Sequence, residues 1–170
     1  NVKIVVIYTY LMQATADYNS TKGTLNVETV DNGATVPALP ATIDNDDVDV
    51  SGFKEDDYIL VTYSRFAKEV KSAVKAEIVT GEVTEYTVTD EVTLGGTKYS
   101  YNKTVGSSAD GQSGTLYTIK EKATVVLDKY GYIIYVDDAL ASNSYVFIKD
   151  AKQAVGVGNR VAADAYFTDG

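Results

Sequence analysis

Short runs of β-branched and aromatic residues, broken by turn signals, recur along the whole chain. The clearest is Ala123–Val136. Val125, Val126 and Leu127 precede the turn Asp128-Lys129-Tyr130-Gly131, and Tyr132, Ile133, Ile134, Tyr135 and Val136 follow it. Such residues favour a pleated surface, and glycine accepts the positive φ of a tight turn, so this stretch predicts a β-hairpin. Val2–Leu11 predicts a long strand, with Met12–Tyr18 extended beyond it. After the turn at Lys22-Gly23, Thr24–Val30 alternates as a second strand: Leu25, Val27 and Thr29 share one face, and Asn26, Glu28 and Val30 the other. Asp31-Asn32-Gly33 is a turn signal, and Pro37 to Pro40 a loop or edge segment.

Thr42–Val50 is followed by the charged turn Ser51–Asp57 and by Tyr58–Tyr63, which has the apolar density of a central strand. Ser64–Val79 supports two readings. Phe66, Val70, Ala73, Val74 and Glu77 fit helical spacing; Val70, Ser72, Val74, Ala76 and Ile78 fit a period of two. The β-rich surroundings favour a hairpin turning near Arg65–Lys68. Thr80-Gly81 is expected to interrupt, before strands at Glu82–Thr89, Glu91–Leu94 and Lys98–Tyr101, with Gly95-Gly96 as a turn. Val105–Gly114 has the composition of a flexible loop. Leu116–Ile119 leads to the hairpin, Asp137–Asn143 links to Ser144–Ile148, and strand signals return at Val161–Phe167.

Three times a strand runs through a crossing segment into another strand: Ile4–Ala14, Val74–Thr84 and Ile133–Phe147. The crossings lie about 60–70 residues apart, the spacing of a repeated module. The expectation is an all-β fold of two tandem small antiparallel modules, barrel-like or sandwich-like, sharing long strands. The first spans 1–80 and the second 81–152; 153–170 is the start of a third module or a strand pairing onto the second. A shared ten-residue strand would span roughly 33 Å and couple neighbours more stiffly than a glycine linker.

Composition narrows the chemistry. The 170 residues are 45% hydrophobic, enough for a core, yet hold no Trp, four Phe, one Met and 14 Tyr. Tyrosine has an apolar ring and a polar tip, which suits thin cores with wet edges. The net charge of −9, with its basic residues scattered, disfavours nucleic-acid backbones and anionic membranes. Without Cys or His there is no disulfide, no thiolate and none of the commonest general base. No apolar run approaches the roughly 20 residues that span a bilayer. The chain opens within a strand-like run and stops at Asp169-Gly170, so a piece of a longer protein is expected, with targeting signals outside it.

Candidate sites are few. Asp44, Asp46, Asp47 and Asp49 form an acidic run that suits Ca²⁺, the one candidate cofactor. Asp47, Asp49, Ser51 and Gly52 fit positions 1, 3, 5 and 6 of an EF-hand loop, but position 12 is Tyr58, where a bidentate Glu is required. A solvated acidic edge that resists sheet-to-sheet association explains the run equally well. Asp56-Asp57 and Asp137-Asp138 are weaker metal candidates. Tyr99, Tyr101, Tyr130, Tyr132 and Tyr135 are candidates for stacking on sugars, although a same-face pair such as Tyr99 and Tyr101 is also how a core is built. Gly156-Val157-Gly158 does not extend to a dinucleotide fingerprint, because Val161 stands where a glycine belongs. No catalytic motif occurs, and no enzyme activity is expected.

The phrases Asp-Asp-Tyr-Ile-Leu-Val-Thr-Tyr at 56–63, Ala-Glu-Ile-Val-Thr-Gly-Glu-Val-Thr-Glu-Tyr at 76–86, Val-Thr-Leu-Gly-Gly-Thr-Lys-Tyr-Ser at 92–100 and Leu-Asp-Lys-Tyr-Gly-Tyr-Ile-Ile-Tyr-Val-Asp at 127–137 carry a resemblance. They resemble the repetitive β-module regions of Gram-positive surface proteins that carry S-layer homology domains elsewhere. The helical S-layer homology domain itself has no trace here. The resemblance implies a structural or spacer segment at the bacterial cell surface, without catalysis. Its partners would be neighbouring modules of the same chain and other copies in a surface array. The alternative reading is an extracellular carbohydrate- or ligand-binding β-module.

Overall fold

The computed structural model describes residues 8–104 and 117–137 in full, and the backbone of 146–153 and 161–167. Part of the expected first strand (2–7), the 105–114 loop, most of the 137–143 link and Gly156-Val157-Gly158 lie outside the described residues. The protein is all-β, with two curled antiparallel five-stranded sheets forming half-barrels.

The first sheet holds β1 (Tyr8–Ala14), β2 (Thr24–Thr29), β3 (Thr42–Asp44), β4 (Tyr58–Ser64) and β5 (Glu69–Lys75), in the spatial order β3-β2-β1-β4-β5. The second holds β6 (Glu77–Tyr86), β7 (Glu91–Leu94), β8 (Thr97–Ser100), β9 (Lys122–Leu127) and β10 (Ile133–Val136), in the order β10-β9-β6-β7-β8. Each sheet therefore has one connectivity: its first strand lies in the middle, the next two extend one side and the last two the other. β11 (Val146–Gln153) and β12 (Val161–Phe167) pair antiparallel as a separate two-stranded sheet, in a compact unit of their own that begins at Ala139.

Ser64–Val79 is a hairpin and not a helix: β4 and β5 pair from Ile59↔Lys75 to Ser64↔Glu69 around the turn 65–68. The expected break at Thr80-Gly81 is absent. β6 runs through it, with Thr80 opposite Thr124 and Gly81 opposite Ala123. A Cβ at Gly81 would stand 2.8 Å from the Gly95 nitrogen, so the glycine marks a close approach of backbones and not a turn. The change of sheet lies earlier, at Ala76, the single residue between β5 and β6; it is buried, and its N–H donates to the Tyr58 carbonyl at 2.8 Å.

Each half-barrel fills its own concave face. In the first, Met12, Leu25, Val27, Ile43, Ile59 and Val61 meet Val50 and Phe53, which the 45–57 loop drops onto them. In the second, Val83, Val92, Leu94, Val125, Leu127, Ile133 and Val136 enclose Tyr101 and Tyr117, whose rings stack at 6.3 Å. The curl of the second sheet brings its edges together: Tyr101, just past β8, bridges Ile133 of β10, and the Asn102 N–H donates to the Ile133 carbonyl at 2.8 Å. A third cluster lies on the opposite faces. Leu11, Val30, Tyr58, Leu60 and Ala76 of the first half-barrel pack with Val126 and Ile134 of the second. β4 and β9 are thus covered on both sides, which explains their near-continuous apolar runs.

Candidate functional site

Three arrangements of polar side chains stand out, and sequence-level candidates fall into each.

The acidic loop after β3 is wired by its own side-chain oxygens. The Asp46 N–H donates to Asp44 Oδ1 at 2.9 Å, the Val50 N–H to Asn45 Oδ1 at 2.9 Å, and the Ser51 N–H and hydroxyl to Asp49 Oδ1 at 3.1 and 2.7 Å. Short polar side chains that capture nearby N–H groups compete with the strand ladder, so within 42–50 only Thr42–Asp44 is strand. The Ser51 hydroxyl, and then its N–H, hold the Asp49 carboxyl below its ordinary range. Asp44, Asp46, Asp47 and Asp49 are not brought together: among the described residues, no group of three or more acidic side chains converges as metal ligands would. Asp57 instead accepts from Lys75 at 2.5 Å.

The seam between the half-barrels is the second arrangement. The Tyr58 hydroxyl donates to Asp137 Oδ2 at 2.6 Å, and both residues are buried. Burial first, then this hydrogen bond, holds the phenol far above its ordinary range. The Tyr135 ring lies 5.6 Å from that of Tyr58. Asn32, also buried, donates its amide to the Ile134 carbonyl at 3.2 Å. The 31–33 turn gave no sign of this in sequence, since a turn asparagine usually faces solvent. Asp137 of the acidic pair Asp137-Asp138 is an acceptor within this seam; Asp138 lies outside the described residues.

The third arrangement is a cleft at the closure of the second sheet, of about 520 Å³, lined by Asp90, Glu91, Ser100, Tyr101, Asn102, Lys103, Asp128, Tyr130 and Tyr132. Asn102, Asp128 and Tyr130 also line an adjoining hollow of about 190 Å³ that reaches Tyr10, Asn32 and Leu60. The sugar-stacking candidates separate here. Tyr101 is buried and Tyr99 packs against the same core. Tyr135 packs on the seam, whereas Tyr130 and Tyr132 are exposed. Sequence pattern alone missed Asp90 and Asn102, which reach the cleft from loops distant along the chain. The carboxylates are engaged: Asp90 with Lys103 at 2.6 Å, Glu91 with Lys98 at 2.5 Å, and Asp128 with the turn that it opens. Such groups hold a shape and offer hydrogen bonds.

Compared with known proteins, the chain matches no family model, no curated protein and no solved structure.

Proposed function

We propose that this chain is a structural spacer segment of an extracellular bacterial cell-surface protein of the S-layer kind, without catalytic activity. One observation carries the reading: the strand path 69–86 passes from one half-barrel into the next through the single buried residue Ala76, while a shared apolar layer clamps the outer faces together. A segment built this way holds its ends at a set distance, because bending it would break ladder hydrogen bonds and expose Leu60 and Val126 together. The repeated connectivity supports the same reading, since a unit that hands its last strand to the next unit's first is suited to arrays. Its partners are neighbouring modules of the same chain and other copies in a surface layer. The charge of −9 keeps neighbouring copies soluble, and no cofactor is required.

Two measurements test this. Antibodies against the chain should label intact source cells and mark the wall fraction; a signal confined to the cytosol would refute the reading. Spin labels at the exposed positions Lys54 and Thr97, one on each half-barrel, should give one narrow distance distribution. A broad one counts against a spacer.

A further inference from the structure

The cleft at the closure of the second sheet is lined by residues of the second half-barrel alone. We propose that it binds a neutral oligosaccharide, with Tyr130 and Tyr132 as stacking platforms. Both rings stand clear of the core, 73% and 47% exposed, on one turn. That turn is pinned: Asp128 Oδ1 accepts the N–H of Tyr130 at 2.8 Å and of Tyr132 at 3.0 Å, and the Tyr132 carbonyl accepts the Asp128 N–H at 2.8 Å. Asp128 Oδ2 accepts the Asn102 amide at 3.0 Å, which ties the turn to the opposite wall. Gly131, at φ 83°, lets the chain reverse there. A turn pinned this way loses little backbone entropy when a ligand arrives, and a tyrosine side chain has few rotatable bonds to order, which is the condition under which exposed tyrosines make good contact surfaces.

The chemistry favours a sugar. The C–H face of a pyranose ring packs on an aromatic face, while its hydroxyls need donors and acceptors at the edge. Ser100, Tyr130, Tyr132 and Glu91, all with polar atoms to offer, line the same cleft. Asp90 is paired with Lys103 and Glu91 with Lys98, while Asp128 accepts from the Tyr130 and Tyr132 N–H groups and the Asn102 amide, so its charged groups are already engaged and a ligand that brings hydroxyls suits it better than an anion. The volume of about 520 Å³ falls among small-ligand clefts. The adjoining hollow beyond Tyr130 gives a chain of several sugar rings somewhere to continue.

Titration calorimetry of the whole chain with cellohexaose, chitohexaose and mannohexaose tests this. At least one hexaose should bind at millimolar or lower concentration. Tyr130→Ala and Tyr132→Ala should each weaken it about tenfold, the loss of one stacking contact, while Tyr130→Phe keeps most of the affinity. Because both side chains are exposed, the variants should melt with the parent. No heat with any hexaose, or affinity unchanged from the parent in both alanine variants, would overturn the proposal. The spacer reading stands or falls separately, on localisation and rigidity.

Discussion

At the residue scale, the seam rests on a few polar atoms placed among apolar ones. Tyr58 is the clearest case. Its ring lies in the shared layer with Leu60 and Val126, and its hydroxyl reaches Asp137. Removing that hydroxyl by Tyr58→Phe should cost about 1.5–3 kcal/mol, the range for a hydrogen bond to a charged group, measured by urea denaturation. The pH dependence has a definite sign. In the unfolded chain the phenol ionises near 10; in the fold it stays protonated well above that. The unfolded state therefore loses its proton first. Stability from this group is intact below about pH 10 and falls as the pH rises further. The gap in melting temperature between the parent and Tyr58→Phe should shrink above that pH, and an unchanged gap would refute the assignment. Tyr58 was legible as the head of a strand, and Asp137 as one of many acids. Their meeting was not, because 79 positions separate them along the chain.

Among the elements, local pattern worked where one face was buried and turn chemistry was explicit. The 123–136 hairpin has both: strands flank Asp128 and Gly131, and β9 and β10 pair from Ile133↔Leu127 to Val136↔Val125. The hairpin of β4 and β5 followed from period two against a competing helical spacing, because neighbouring strands offered ladder partners. Pattern failed at Gly81. A glycine between β-branched residues signals either a turn or a close backbone approach, and the two are alike in sequence. Gly81→Ala separates them by measurement. A methyl group 2.8 Å from the Gly95 nitrogen and 3.0 Å from the Leu94 carbonyl carbon meets backbone, which cannot swing aside. The variant should lose about 1–3 kcal/mol, as overpacking does. A neutral or stabilising result in chemical denaturation would mean that the approach is looser than described.

For residues 8–137, the central fact is that two half-barrels with one connectivity share a third apolar cluster. They should unfold together. Thermal melts followed by calorimetry and by tyrosine fluorescence should coincide in one transition. Leu60→Ala should cost about 2–5 kcal/mol, since Leu60 is buried between the two sheets. Leu60→Asp, which puts a charge into that layer, should split the single transition into two, and persistence of one coincident transition in that variant would show that the layer does not couple the halves.

The order of residues was enough to establish an all-β chain, its hairpins, a repeated module and the absence of thiol and imidazole chemistry. Those properties follow from periodicity, turn residues and composition, which are local or summed quantities. Folding alone decided that tyrosines 99, 101 and 135 would be packed while 130 and 132 face solvent, that the acidic loop would bind its own backbone, and that Asn32 and Asp137 would cross to the other half-barrel. Each of those outcomes depends on which way a sheet curls and what lies against its outer face, and strand periodicity is the same whichever way that turns out.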